Sequence, residues 1–213
     1  MMTGWKAFGK QNPVVIKLPP PLTDSDTSLE EAFKSRRSVR DYSADSLTLQ
    51  QAAQLLWAAQ GITQPVPYGL RTAPSAGALY PLEVILVAGK VKGLDAGVYR
   101  YKPASHEIVE IVAGDQRSEL CRAALSQESI SDAPACIVIT GIYQRVGKKY
   151  GDRGERYTHI EVGCAVQNIY LQCESLGLGT VVLGAFYDDK VQKVLNLARD
   201  EVPLAVMPVG AIK

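Results

Sequence analysis

The order of the predicted elements indicates an α+β fold. Three β-rich runs at 84–88, 97–101 and 107–113 follow one another with only short Gly- and Pro-containing breaks, which is typical of a meander or a hairpin series. A long amphipathic helix is predicted only afterwards, between residues 156 and 176. Because strands and helices do not alternate regularly, the pattern favours α+β over a doubly wound parallel sheet.

Composition predicts one folded domain and argues against a nucleic-acid partner. The 213 residues suit one large domain, and a hydrophobic share of 46% with 21% charged residues is typical of a globular chain. The 23 Lys and Arg against 22 Asp and Glu leave no basic surplus for a phosphate backbone. Residues 11–27 carry four prolines and no helical period, so an extended lead-in over 1–27 is predicted before a single domain over 28–213.

The sequence shows no features of a membrane span, an export signal or a metal site. The longest apolar stretches, such as 135–139 and 181–183, are far shorter than the roughly 20 residues that span a bilayer. Residues 1–10 lack an apolar signal core, so we expect a cytoplasmic protein. The four cysteines and two histidines show no paired spacing, which disfavours a zinc site and a disulfide framework.

Capping residues predict two helices in the first third of the chain. Ser28 opens a short helix to about Lys34 with the spacing of a capping box. Thr48 repeats this spacing for a second helix, which ends at Gly61.

The long helix is predicted from apolar residues at three- and four-residue steps. These residues are Val162, Ala165, Val166, Ile169, Cys173 and Leu176, and Gly177 and Gly179 terminate the helix. The remaining predicted elements are helices at 116–125 and 188–197 and strands at 135–142, 180–184 and 204–212.

Residues 36–40, which we call the arginine segment, are a candidate anion site. Arg36, Arg37, Ser38 and Arg40 place three guanidinium groups and a hydroxyl within five residues, which suits charge-assisted binding of one phosphate. The alternative is a solvated basic surface at a helix end. The glycines elsewhere in the chain lack the spacing of the loops that bind ATP or dinucleotides, so these loops are excluded.

Residues 71–81 contain a second candidate segment. Small residues between Pro74 and Pro81 let the backbone approach a flat ligand with amide and hydroxyl donors exposed. The alternative is an ordinary irregular loop. We call residues 74–80 the serine loop.

These segments, in this order, resemble the nitroreductase family of FMN enzymes, and more specifically its SagB-type dehydrogenase branch. The resemblance extends from about Ser28 to Gly210. It rests on RRSVRDYS, LLWAAQGIT, RTAPSAGALYP, GVYRY, KYGDRGERYTHIE, QNIYLQCESLGLGTVVLGAF and PLAVMPVG. It implies a central, mostly antiparallel sheet flanked by helices, a long core helix and an intertwined homodimer.

The resemblance also implies one FMN at each subunit interface. The residues implied to hold the phosphate and ribityl tail are Arg36, Arg37, Ser38 and Arg40, with Lys213 as the C-terminal cation. The residues implied to pack against the isoalloxazine from the other subunit are Pro74, Ser75, Ala76, Gly77 and Leu79. Leu183 and Gly184 are implied to face the flavin near N5, and NAD(P)H, where used, stacks in the same open site.

Lys149 and Tyr150 match the adjacent pair that the resemblance assigns to proton abstraction in azoline-oxidising enzymes. Aromatising a thiazoline or oxazoline removes a proton from one carbon and a hydride from the other, so a base is needed. A lysine serves as a base only when burial or nearby cations lower its pKa, and the candidate cations are Lys148, Arg145 and Arg153. Outside the resemblance, this run indicates a solvated loop.

The sequence therefore predicts an FMN-dependent oxidoreductase that transfers hydride through flavin N5, with a small heterocycle or a peptide-borne azoline as substrate. The alternatives are NAD(P)H-driven reduction of nitroaromatics or quinones, a flavin-binding maturation partner without turnover, and a flavin-free structural homologue. His159 and Glu161, near the start of the long helix, are expected near the substrate mouth. The alternative is that both are simply exposed first-turn residues, with Glu161 favourable at a helix N-terminus.

Overall fold

The computed structural model describes residues 14–65 and 69–213, and its centre is a seven-stranded sheet. The strands are β1 (Val15–Lys17), β2 (Leu47–Thr48), β3 (Ile62–Gln64), β4 (Leu70–Arg71), β5 (Leu82–Ala88), β6 (Val91–Lys92), β7 (Gly97–Lys102), β8 (Glu107–Ala113), β9 (Ala135–Gly141), β10 (Leu178–Thr180) and β11 (Val202–Ala211). The central sheet has the order β1-β8-β7-β5-β9-β11-β10, and every neighbouring pair is antiparallel. The predicted α+β fold with an antiparallel sheet is confirmed.

Helices cover both faces of this sheet. In the described residues they are α1 (Leu29–Ser35), α2 (Leu49–Gln60), α3 (Arg117–Ala123), α4 (Ser129–Asp132), α5 (Tyr143–Tyr150), α6 (Arg153–Ser175) and α7 (Asp188–Val194). Successive side chains of a strand point to opposite faces. In β5, Leu86 therefore joins the core cluster that contains residues of α2 and α6, whereas Val87 joins the cluster that contains residues of α3, α4 and α7. The sheet is the middle layer between two helical layers.

Helix starts follow the capping residues that the sequence predicts. Ser28 Oγ accepts the Glu31 amide hydrogen at 3.0 Å before α1, and Thr48 Oγ1 accepts the Gln51 amide hydrogen at 3.1 Å before α2. The Gln51 side chain accepts the Thr48 amide hydrogen at 2.9 Å, which completes a capping box. Gly61 follows the last residue of α2, as predicted.

The strand expected at 180–184 is shorter than predicted. β10 ends at Thr180, and beyond it only Leu183 pairs again, through an isolated bridge to β11. The interruption has a local cause, because the Val182 amide donates to the hydroxyl of Tyr170 at 2.8 Å instead of to a strand.

The described part of the lead-in extends the central sheet. Within it, β1 pairs with β8 at the sheet edge. The boundary between residues 27 and 28 stays a prediction, as does the cytoplasmic location, and residues 1–13 lie outside the described residues.

Over 14–65 and 69–213, no helix combines the length and apolar character needed to cross a bilayer. Within the same ranges, no group of three or more His, Cys, Asp or Glu side chains is arranged to hold a metal ion.

Candidate functional site

The arginine segment lies beside the end of β10. The Val39 amide donates to the Thr180 carbonyl at 2.8 Å, and Ser38 forms an isolated parallel bridge with Thr180. The Ser38 Oγ atom is 3.1 Å from the hydroxyl of Tyr170 in α6, and the same hydroxyl accepts the Val182 amide hydrogen. Tyr170 therefore links the arginine segment to the chain that follows β10.

The three arginines of this segment differ in their contacts. Within the described parts of the chain, no carboxylate forms an ion pair with Arg36, Arg37 or Arg40. The Arg36 guanidinium lies over the ring of Tyr170, 5.2 Å from its centroid. Arg37 turns back on α1, where its Nη1 atom donates to the carbonyls of residues 34–36 at 2.8 to 3.4 Å. Arg36 and Arg40 are therefore the cations most free to meet an anionic ligand.

Leu183 and Gly184 differ in what they offer a ligand. The Leu183 amide donates to the Val206 carbonyl at 2.8 Å, and its carbonyl accepts the Val206 amide hydrogen at 2.9 Å. Gly184 is exposed, and no atom lies within 4 Å of the position that a Cβ would take, so its backbone is open to a ligand. Lys213 is exposed. The residue before it forms an isolated β-bridge with Tyr42, and this bridge brings the C-terminus beside the arginine segment.

The serine loop has an unusual backbone and faces Lys149 and Tyr150. The φ angle is +63° at Gly77, +52° at Ala78 and +47° at Tyr80, and residues other than glycine rarely adopt such values. A Cβ atom at Gly77 would lie 2.8 Å from the Tyr150 hydroxyl and 3.0 Å from the Lys149 Nζ atom. The structure thus brings the predicted catalytic pair and Gly77 together within one chain.

The run that ends in Lys149 and Tyr150 is the helix α5, whereas the local sequence signal indicates a solvated loop. This helix packs along α6 at a close approach, because a Cβ at Gly154 would lie 2.7 Å from the Gly147 amide nitrogen. Lys149 is exposed and Tyr150 is half-buried. The helix therefore fixes the direction from which the pair reaches the serine loop.

Of the cations expected around Lys149, Arg145 is engaged with other groups. Arg145 pairs with Glu83 at 2.5 Å and donates to the Tyr80 carbonyl at 3.1 Å. Lys148 and Arg153 are exposed. Arg145 thus anchors α5 to the sheet and to the serine loop.

Glu161 is buried, and the alternative of an exposed first-turn residue is wrong. It is 2% exposed, and it lies two turns into α6, which begins at Arg153. Burial raises the pKa of Glu161 to about 7, although hydrogen bonds from Ser75 and Gln60 and the charge of Arg71 oppose the shift. The carboxyl is therefore a buried acid directly behind the serine loop.

A sequence signal for this burial exists. Glu161, Ala165 and Ile169 recur at four-residue steps, so the acid continues the apolar stripe of α6. His159 is exposed as expected, and its Nε2 atom lies 2.8 Å from the Tyr143 hydroxyl.

Glu161 is expected to make stability depend on pH. Its folded-state pKa of about 7 exceeds its usual value of 4.5, so the folded chain binds more protons than the unfolded chain between these values. The free energy of unfolding should therefore fall as pH rises through this window, by at most about 3 kcal/mol. Urea unfolding at about pH 5 and about pH 7.5 should show a smaller fall for Glu161→Gln, which does not ionise. An equal change of the unfolding free energy with pH in wild type and Glu161→Gln would contradict the attribution of this change to Glu161.

The candidate residues form two groups along α6. Tyr170 adjoins the arginine segment and Glu161 adjoins the serine loop, and this separation corresponds to about 14 Å of helix. One group supplies unpaired guanidinium groups, the Ser38 hydroxyl and the open backbone of Gly184. The other supplies a small-residue loop beside an amine and a phenol. These donors fit a cofactor such as FMN, which has an anionic tail and a flat ring.

This architecture and donor set define an α+β protein with a site suited to an anionic cofactor. The chain belongs to the nitroreductase family, whose model matches residues 33–211. It is therefore an oxidoreductase of that family, and the predicted family is confirmed.

Individual relatives agree with this assignment. A provisionally named nitroreductase of Methanocaldococcus jannaschii is 46% identical over 185 residues, which cover 87% of this chain and 91% of that protein. The microcin B17-processing protein McbC of Escherichia coli is 31% identical over 176 residues, which cover 79% of this chain and 64% of McbC.

Solved structures show the same fold. A provisionally named nitroreductase from Ralstonia eutropha superposes with a TM-score of 0.82 and 30% identity, covering 93% of this chain and 90% of that one. A chain of the Escherichia coli microcin synthetase McbBCD complex with truncated pro-MccB17 superposes with a TM-score of 0.72 and 26% identity, covering 90% of this chain and 75% of that one.

Proposed function

We propose that this protein is an FMN-dependent dehydrogenase of the SagB type, which oxidises a peptide-borne azoline or a similar small heterocycle. The observation that carries the proposal is the position of the Lys149 Nζ atom and the Tyr150 hydroxyl against the Gly77 backbone. Forming an aromatic azole requires the removal of a proton as well as a hydride, so a base must stand beside the cofactor.

The arginine segment is assigned to the tail of FMN. Arg36 and Arg40 lack carboxylate partners among the described residues and would bind the phosphate, with Ser38 as a hydroxyl donor. Arg37 would contribute mainly charge, because its Nη1 atom caps α1, and Lys213 is the additional cation from the C-terminus.

The flavin ring is assigned to the serine loop and to the chain after β10. The loop residues in contact would be Pro74, Ser75, Ala76, Gly77 and Leu79. Gly184 would present its open backbone, whereas Leu183 would serve as support, because its amide is bonded to β11. When bound, FMN supplies the acceptor for the hydride.

A second copy of the chain is proposed to complete the site. The arginine segment and the serine loop lie at different levels of α6, and a homodimer would bring the arginine segment of one copy to the serine loop of the other. Lys149 is exposed in the single chain, so the burial that a lysine base requires would come from the partner copy and the substrate.

Removal of the proton is assigned to Lys149 and Tyr150. Lys149 would take the proton from one carbon of the azoline while the hydride leaves from the adjacent carbon, and the Tyr150 hydroxyl would orient the heterocycle by a hydrogen bond. Bound FMN would supply the two-electron acceptor for this oxidation, with O₂ or another acceptor as the final oxidant. The azole product has lost two hydrogens in all.

Similarity to McbC supports a peptide substrate. McbC is named for microcin B17 processing, and its complex was solved with truncated pro-MccB17 bound. The chain spans 64% of the length of McbC, so both the substrate and any partner proteins are part of the proposal.

NAD(P)H-driven reduction of nitroaromatics or quinones is the second candidate. It is favoured by the 46% identity to a provisionally named nitroreductase. In that case NAD(P)H and the acceptor would occupy the same open site in turn. The third candidate is a maturation partner that binds flavin without turnover. This function needs only the cofactor-binding residues.

The test combines a spectrum with a turnover assay. The purified protein is incubated with FMN and desalted, and we expect retained flavin absorbance. The loaded protein is then given a peptide with one thiazoline under air, and mass spectrometry should show the loss of two hydrogens. Anaerobic bleaching by NADPH without azoline oxidation would favour the reductase. Retained flavin without either reaction would favour the maturation partner, and a colourless protein would refute flavin binding.

A further inference from the structure

A closed polar network lies behind the serine loop and consists of Gln60, Arg71, Ser75, Tyr80 and Glu161. Arg71 Nη1 donates to Gln60 Oε1 at 2.9 Å, and Gln60 Nε2 donates to Glu161 Oε1 at 3.3 Å. The Ser75 side chain interacts with the Glu161 carboxyl and lowers its pKa, and the Tyr80 amide donates to Ser75 Oγ at 2.9 Å. Arg71 closes the network by lying over the Tyr80 ring, 4.2 Å from its centroid.

The two anchors of this network are held by the core. Gln60 is the last residue of α2 and is 0% exposed, and Glu161 on α6 is 2% exposed. Because water does not reach these groups, each depends on its partners in the network for hydrogen bonds. Both ends of the serine loop are thereby tied to two helices that pack on the sheet.

The serine loop needs such an anchor because its backbone is strained. Ala78 and Tyr80 have φ angles of +52° and +47°, which residues other than glycine rarely adopt. Strained conformations persist only where the surroundings over-determine them, and they concentrate at functional sites. The side chain of Arg145 adds a further restraint through its bond to the Tyr80 carbonyl.

We propose that Glu161 is a positioning residue whose buried carboxyl closes this network and thereby holds the serine loop against Lys149 and Tyr150. Glu161 acts through Ser75 and does not itself touch the reacting atoms. The consequence for catalysis rests on the proposed function, whereas the restraint on the loop does not.

The ionisation of Glu161 is expected to set how firmly the loop is held. The charged group that faces Glu161 is Arg71, which in turn faces Glu83 on β5 and Arg145 on α5, while α2 presents the neutral Gln60. Burial favours the neutral carboxyl, and an open loop would return Glu161 to water and to its usual pKa. By linkage the closed loop is favoured at low pH, and opening becomes easier as pH rises to about 7.

Amide hydrogen exchange of the full chain, measured without substrate, tests this proposal. Glu161→Ala should raise the exchange of the Ala78 and Tyr80 amides by about tenfold or more, because Gln60 loses its acceptor and Ser75 loses the carboxyl with which it interacts. Glu161→Gln keeps a neutral acceptor and should restore protection. In wild type, protection corrected for intrinsic exchange should fall between about pH 5 and about pH 8, and Glu161→Gln should remove this dependence.

Glu155→Ala is the matched control, since it removes the same charge from an exposed position of the same helix and should leave the loop unchanged. Amides of β9 report global unfolding. If Glu161→Ala does not fold, Ser75→Ala must raise the exchange of the Ala78 amide, whose acceptor, the Ser75 carbonyl, is kept in this variant. Unchanged loop exchange in the folded variants, or a pH dependence retained in Glu161→Gln, would overturn the proposal. Failure of the wild-type protein to oxidise an azoline would overturn only the proposed function.

Discussion

Replacing Lys149 with alanine is expected to lower kcat for azoline oxidation by about a hundredfold or more, because the variant lacks the group that takes the proton. The fold should be unaffected, since Lys149 is exposed at the end of α5. KM should change little, because the lost interaction belongs to the transition state rather than to substrate binding. Initial rates of azole formation from a thiazoline peptide, with FMN saturating, measure both constants.

Two further variants separate the chemistry from general effects. Tyr150→Phe deletes only the hydroxyl that faces Gly77 and should lower kcat by about tenfold or more. Lys193→Ala removes an exposed cation from α7, on the other face of the sheet, and should keep full activity. Full azoline oxidation by both Lys149→Ala and Tyr150→Phe would refute the assignment of the pair.

Arg100→Met is expected to destabilise the fold by about 3–5 kcal/mol, because it leaves a buried carboxylate without its counter-ion. Arg100 donates two hydrogen bonds of 2.8 Å to Glu201 and lies 3.4 Å from Glu83. The Glu201 side chain is 3% exposed, and the Thr140 hydroxyl, which donates to it at 2.5 Å, would be its main remaining partner. Urea unfolding followed by circular dichroism gives the change in the free energy of unfolding.

An exposed ion pair supplies the control for this prediction. Arg122 pairs with Glu119 one turn away on α3, with side chains 62% and 53% exposed, so Arg122→Ala should cost less than about 1 kcal/mol. Adding Glu201→Gln to Arg100→Met should recover much of the lost stability, because the uncompensated charge is gone. Equal losses of unfolding free energy in Arg100→Met and Arg122→Ala would contradict the claim that burial of the ion pair sets the size of the effect.

Glu83 connects this ion network to the candidate site. Its carboxylate pairs with Arg100 of β7 and with Arg145 of α5, and Arg145 also bonds the Tyr80 carbonyl. The helix that carries the proposed catalytic pair and the end of the serine loop therefore share one support on the sheet.

Local signals predicted most elements of the fold. The caps at Ser28 and Thr48 act within three residues, and the apolar runs of β5 and β9 are continuous in the sequence. The strand expected at 180–184 is interrupted by a distant side chain, because the Val182 amide donates its hydrogen bond to the Tyr170 hydroxyl. No strand pattern contains that information.

The reach of local signals also limits what the sequence predicts about the candidate site. The arginine segment and the Lys149–Tyr150 run are continuous stretches, so the family resemblance located both. Glu161 was misplaced because its partner Gln60 is 101 residues away, and its burial depends on how α2 and α6 meet.

By itself, the sequence determined the α+β class, the family and the segments that carry the candidate site. Only the tertiary structure decided that Lys149 and Tyr150 meet Gly77, that Gly184 rather than Leu183 has a free backbone, and that Glu161 is a buried acid. Periodicity and capping report which face of each element is apolar. Desolvation and the choice of hydrogen-bond partner depend on every atom that surrounds a group after the elements have packed.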